Sequence, residues 1–203
     1  MVEVHNEAFA NDVLIKLMYG PPEEGTIPFA KDLEQMIREN ANMRFVKAVD
    51  GDSGRIVGWT WWIIYPDGET HSKGEQANLK RNATPPSTAI SPQLYLDYHG
   101  IVAQKRKRWI SGRGAVILQV LVVHTEYQGR GIGTKLLIAG VEEAKRLRLP
   151  SWLESSSKGY TVYKKCGFRD IGEDLDMDLT KYGATGRVKT HCMLMDDVNT
   201  QQI

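Results

Sequence analysis

The chain has 203 residues, the size of one domain, and its 41% hydrophobic composition is enough for a real core. Its 26 basic and 25 acidic residues leave a net charge of +1, which argues against a general nucleic-acid or membrane-surface binder. Cys166 and Cys192 form neither a metal spacing nor a disulfide framework, no apolar run approaches the ~20 residues of a membrane span, and no signal peptide opens the chain, so the expectation is a soluble, cytoplasmic protein.

Residues 1–19 read as an amphipathic helix with Val4, Ala8, Leu14, Leu17 and Met18 among its apolar positions. Gly20-Pro21-Pro22 breaks it, and residues 31–40 form a second short helix with Leu33, Met36 and Ile37 on one face. Strands over 44–49 and 55–65 make a hairpin across the turn at Asp50–Gly54. Trp59 and Trp61 share one face of the returning strand, and Trp62 takes the other. From Pro66 to about Ile90 the chain is polar and rich in Ser, Thr, Pro and Asn, which predicts a mobile loop. Ser91-Pro92 then starts a helix, with Ser as cap and Pro at the first helical position, and Leu94, Tyr98, Val102 and Trp109 lie on one face. The run Lys105-Arg106-Lys107-Arg108 reads as the solvated side of that helix; contact with ligand phosphates or an acidic substrate is the sharper alternative.

The central stretch begins at Ala115. Ala115–Val123 is β-branched and apolar almost throughout, which predicts a strand buried on both faces. After His124–Tyr127 comes Gln128-Gly129-Arg130-Gly131-Ile132-Gly133-Thr134, and then a helix whose apolar stripe is Leu137, Val141, Ala144 and Leu147. A strand, a glycine loop and a helix make a phosphate site. The first amides of a helix have no internal partner, the aligned peptide dipoles leave positive charge there, and glycine lets the main chain approach an anion closely. Two better-known phosphate loops fail. Lys135 follows Thr134 instead of preceding a hydroxyl, as a P-loop requires, and Thr134 stands where the dinucleotide fingerprint needs its third glycine.

Downstream, Trp152–Ser156 is the next strand, Gly159–Cys166 a short helix stopped by Gly167, and Phe168–Leu179 an alternating strand. Leu175, Met177 and Leu179 face inward there; Asp174, Asp176 and Asp178 form a solvated face rather than a cation site. Residues 187–195 are the last strand, with Val188, Cys192 and Leu194 on one side. The five histidines show no ligand spacing, so no metal is expected.

Gln128-x-x-Gly131-x-Gly133 resembles the acyl-CoA loop of the GNAT N-acetyltransferases, and Tyr163-Lys164-Lys165-Cys166-Gly167-Phe168 resembles the same family's Y-x-K-x-G-F. The resemblance covers roughly 44–65 and 115–179. It implies an α/β fold over residues 1–203, a single domain whose central twisted mixed sheet is flanked by helices and splayed between its two central strands. Residues 66–114 would then be a long insertion between the family's third and fourth strands, and the family's first strand has no counterpart before residue 1–19. The resemblance further implies acetyl-CoA as cosubstrate, held by main-chain groups of Leu121, Val122 and Val123, by the loop residues Gln128, Gly129, Arg130, Gly131, Ile132, Gly133 and Thr134, and by Ser155. Tyr163 would be the general acid. Glu154 is a candidate base, with His124, Asp97 and His99 as others. The expected acceptor is a primary amine of a small molecule, with no nucleic-acid or membrane partner, and the protein a monomer or homodimer. A protein amine as acceptor and a non-catalytic acyl-CoA-binding module are the alternatives.

Overall fold

In the computed structural model, which describes residues 1–196, the apolar run Ala115–Val123 forms strand β3 inside a seven-stranded sheet. The other strands are β1 (Met43–Val49), β2 (Ile56–Tyr65), β4 (Ser151–Ser156), β5 (Arg169–Asp170), β6 (Leu175–Asp178) and β7 (Arg187–Met195). Their order is β1-β2-β3-β4-β7-β5, with β6 also on β7. Only β3 and β4 run parallel, and such a pair needs a crossover; helix α6 (Ile132–Leu147) supplies it.

Period-two alternation divides the core between the two faces of the sheet. Trp59, Trp61, Ile63, Ile117, Trp152, Cys192 and Leu194 pack in one cluster with α1 (Val2–Ala8), α3 (Pro22–Glu39) and α5 (Pro92–Ile110), through Val4, Leu33 and Val102. Trp62, Ile64, Leu118, Leu153 and Met193 pack on the other face against Leu137, Val141 and Ala144 of α6. The expected division of the three tryptophans therefore holds. Gly140 sets how close α6 comes: a Cβ there would lie 2.1 Å from Cε2 of Trp62, which is 1% exposed. Gly140→Ala is expected to cost about 1–3 kcal/mol in urea unfolding, because the indole has nowhere to move. An unchanged midpoint would show that α6 is free to shift.

Four elements depart from the sequence expectation. The first helix is two, α1 and α2 (Val13–Tyr19), because the Asp12 carboxylate accepts from the Ile15 amide at 3.0 Å and starts a new helix. The second begins nine residues early, at Pro22, where proline's missing N–H is harmless. Residues 68–82, expected as loop, are helix α4 (Gly68–Asn82), capped by Asp67 accepting from Thr70 at 2.7 Å. The strand expected over 168–179 is broken into β5 and β6 around Gly172, whose φ is +72°. None of the described helices is long and apolar enough to cross a membrane.

Candidate active site

Strand β3 pairs with β4 only through Val116–Leu118 against Ser151–Leu153. Past that last rung the strands part, each held by its other neighbour: Val123 lies opposite Gly58 of β2, and Ser156 opposite Thr190 of β7. The parting has a local cause. The β2–β3 register slips between Trp61 and Trp62, so Gln119 is an extra residue in β3, and such a bulge bends and twists its strand. In antiparallel pairing, alternate main-chain groups of Gln119–Val123 point away from β2, towards the opening. Leu121, Val122 and Val123 lie on this stretch.

At the mouth of the opening the loop has the shape of an anion cradle. Gly129 and Gly131 have φ of +75° and +77°, in the left-handed region, and a Cβ on either would meet nothing within 4 Å. Gly131 caps α6 without any side-chain acceptor, and the first helical bond runs from the Lys135 amide to the Gly131 carbonyl at 3.1 Å. The amides of Ile132, Gly133 and Thr134 are therefore left at the positive end of a sixteen-residue helix. The side-chain amide of Gln128 donates to the Val123 carbonyl at 3.0 Å, tying the loop to the strand end. Arg130 donates to the Glu126 carbonyl at 2.8 Å and lies over the Tyr127 ring, so its charge stays beside the cradle. The seven residues named from sequence thus run from the turn at Gln128–Gly131 into the first turn of α6.

Ser155 and Tyr163 meet on the α6 face of the sheet. Tyr163 lies in α7 (Tyr160–Lys165), 8% exposed and edge-on to Phe168 at 6.2 Å. A Cβ on Gly159 would come 2.6 Å from the Tyr163 ring and 3.4 Å from Ser155 Oγ, so glycine there lets the two sit side by side. Ser155 is fully buried, and its hydroxyl donates to the Ser156 carbonyl at 2.7 Å. Burial pushes the Tyr163 phenol up to about 12, which keeps it a proton donor at neutral pH.

Glu154 lies on the other face, and its carboxylate is engaged. It accepts from Arg106 Nε and Nη2 at 2.9 and 2.7 Å and from the Trp152 indole. Glu75 of α4 stands 3.9 Å from Arg106 Nη1. Arg106 is only 8% exposed, which corrects the reading of Lys105–Arg108 as a uniformly solvated face. Lys105 and Arg108 pair with Glu173 instead. The remaining base candidates are also partnered. His124 Nε2 lies 2.9 Å from Glu7, and Asp97 accepts from Gln93 and Tyr182. His99 sits between Tyr19 and Asn82 at 3.0 and 3.2 Å; burial, with Arg106 and Arg81 nearby, lowers it to about 4, so it is neutral at pH 7. Farther out, Asp176 and Asp178 pair with Arg187. Asp170, Asp174 and His191 bring ligand-type atoms within 4.8 Å of one another, with the Lys189 ammonium 2.6 Å from Asp174.

Residues 95–170 match the family model described as the acetyltransferase (GNAT) domain. Solved structures share the wider architecture at low identity. A Corynebacterium glutamicum protein described as histone acetyltransferase HPA2 and related acetyltransferase is 20% identical, with a TM-score of 0.61 over 98% of this chain and 91% of that one. The polyamine N-acetyltransferase of Drosophila melanogaster, described as forming N-acetylagmatine, is 12% identical, with a TM-score of 0.61 over 97% and 95%. The PaiA N-acetyltransferase of Thermoplasma acidophilum, solved with coenzyme A, is 17% identical, with a TM-score of 0.53 over 97% and 90%. No match was found among curated protein sequences. The seven-stranded mixed sheet flanked by helices is the GNAT-type fold. The sheet with its flanking helices has the fold of these solved acetyltransferase structures.

Proposed function

We propose that this protein transfers an acetyl group from acetyl-CoA to a primary amine of a small molecule, by direct attack with both substrates bound. The observation that carries this reading is the opening between β3 and β4, with an uncapped glycine-lined helix terminus at its mouth and a protonated tyrosine on its wall. The residues present fit the cosubstrate: free amides and open space at Gly129 and Gly131 suit a pyrophosphate, and the unpaired edge of Leu121–Val123 suits an amide-bearing arm. When bound, acetyl-CoA supplies the activated acyl group. Loop residues Gln128–Thr134 hold its phosphates, β3 orients the thioester, and Tyr163 gives a proton to the departing sulfur. The small-amine acceptor is favoured because α4 and α5 pack over the other face of the sheet and enclose Glu154, leaving little room for an extended peptide. The Drosophila polyamine enzyme is a precedent within the fold.

The test is thiol release from acetyl-CoA over a panel of amines, with calorimetric binding beside it. Gly131→Glu is expected to weaken acetyl-CoA binding about 100-fold, the equivalent of one or two charge-assisted bonds, because it sets a carboxylate against the bound phosphates. The positive φ adds about 1–2 kcal/mol of strain, so circular dichroism must confirm the fold. If the wild type binds acetyl-CoA and acetylates no amine or peptide, a binding module is the better reading. If it binds no acetyl-CoA, the proposal fails.

A further inference from the structure

One strand beyond the opening, Asp170 and Asp174 are held by protein donors on every oxygen. Asp170 Oδ1 accepts from the Gly172 amide at 2.7 Å, and its Oδ2 accepts from the Tyr160 hydroxyl at 3.0 Å. Asp174 Oδ1 takes His191 Nδ1 at 3.1 Å, and its Oδ2 takes the Lys189 ammonium at 2.6 Å. The cluster works as a brace, and what it braces is α7. Tyr160 is that helix's first residue, and its ring lies 4.4 Å from the ring of His191, which stands opposite Ser155 in the β4–β7 pairing. Helix α7 needs such a hold. It has six residues and no side-chain cap, well short of the ~12–15 at which a helix begins to hold itself. With Gly159 before it and Gly167 after it, little in its own chain fixes its tilt. Tyr163 stands three residues on, a neighbour of Tyr160 on the helix surface. Burial is the one influence on the Tyr163 phenol, with no charged or bonding neighbour. Where its hydroxyl points is thus set by where α7 lies and by the packing on Phe168.

We propose that Tyr160 is a positioning residue for the acid: held on Asp170 and His191, it fixes α7 so that the Tyr163 hydroxyl meets the departing sulfur. This rests on the acetyl-CoA reading above, with Tyr163 as proton donor. In that step the amine lone pair forms the C–N bond. As the C–S bond breaks, its electron pair stays on sulfur and takes the Tyr163 proton, and the proton that the amine gives up replaces it through solvent. Such a donor acts only within about 0.5 Å and 10–20° of its productive place. A misplacement of about 1 Å costs up to about 100-fold in rate. The bond to Asp170 is the main cause that raises the Tyr160 phenol, so this hydroxyl stays a donor at neutral pH.

Tyr160→Phe keeps the ring on His191 and removes the bond to Asp170. The expected result is a kcat lower by about 10–100-fold, with acetyl-CoA binding in calorimetry and the circular dichroism spectrum unchanged. In a Tyr163→Phe background the same change should alter kcat by less than about twofold, because no acid is left to aim. A merely structural role would lower kcat equally in both backgrounds. Asp170→Ala should match Tyr160→Phe, and Asp170→Asn, whose amide still bonds a hydroxyl, should lose less. A Tyr160→Phe kcat within about threefold of wild type, or an equal loss in both backgrounds, overturns the assignment and leaves the acetyl-CoA reading standing. Wild type that acetylates nothing, or whose kcat is indifferent to Tyr163→Phe, overturns Tyr163 as the acid and this inference with it. Wild type that binds no acetyl-CoA overturns the whole reading.

Discussion

Tyr163→Phe is expected to lower kcat for acetyl transfer by about 10²–10⁴-fold and to leave acetyl-CoA binding nearly unchanged. The substitution keeps the ring that packs edge-on against Phe168 and removes only the hydroxyl. The effect therefore belongs to proton donation rather than to packing. Burial holds the phenol at about 12, against about 10 in an unfolded chain, so the acid stays protonated across any working pH. The linkage follows in sign. The folded state binds this proton more tightly than the unfolded one, so the contribution is complete below about pH 10 and is lost as pH rises towards about 12. In that window the stability of Tyr163→Phe should fall less steeply than that of wild type. A kcat within about threefold of wild type would remove Tyr163 from the mechanism.

Arg106→Ala is expected to cost about 3–5 kcal/mol of stability, because it leaves the Glu154 carboxylate buried without its cation. The arginine makes two bonds to Glu154 and approaches Glu75, joining α5 to β4 and to α4. Burial works against its charge, yet Glu154 and then Glu75 outweigh this and hold the guanidinium above its ordinary value. It does not titrate in any accessible range. Arg106→Met combined with Glu154→Leu should recover most of the loss, since an apolar pair of similar volume removes both charges at once. Equilibrium unfolding in urea measures both variants. If Arg106→Ala loses less than about 1 kcal/mol, the pair is solvated in solution and does not brace β4 at the edge of the opening.

Much of the site was legible because its signals are local. A dense β-branched run has few alternatives to a buried strand, and β3 has the bounds read from it, Ala115–Val123. Gly129 and Gly131 must be glycine for a reason residing in their own φ angles, and the stripe of α6 repeats at helical spacing. Ser91 caps α5 by accepting from the Leu94 amide, as its place before Pro92 predicts. Helix α4 carries no such signal: it is polar nearly all round, with His71 as its buried residue. It is held by that ring stacked on Tyr65 and bonded to the Arg113 carbonyl.

The sequence by itself determined the local elements of this protein: the central strand, the glycine turn after it, the helix behind that turn and the tyrosine-bearing helix downstream. Tertiary structure alone decided which of four adjacent cations is buried. Successive residues turn by about 100° around a helix, and only the docking of α5 against β4 and α4 chooses Arg106. It likewise decided that Gln119 is a bulge, since that depends on how β3 registers against β2, and that Glu154 answers to an arginine 48 residues earlier. Glycine torsions and apolar periods are properties of a segment. Burial of a charge is a property of two segments brought together, and neither one carries it alone.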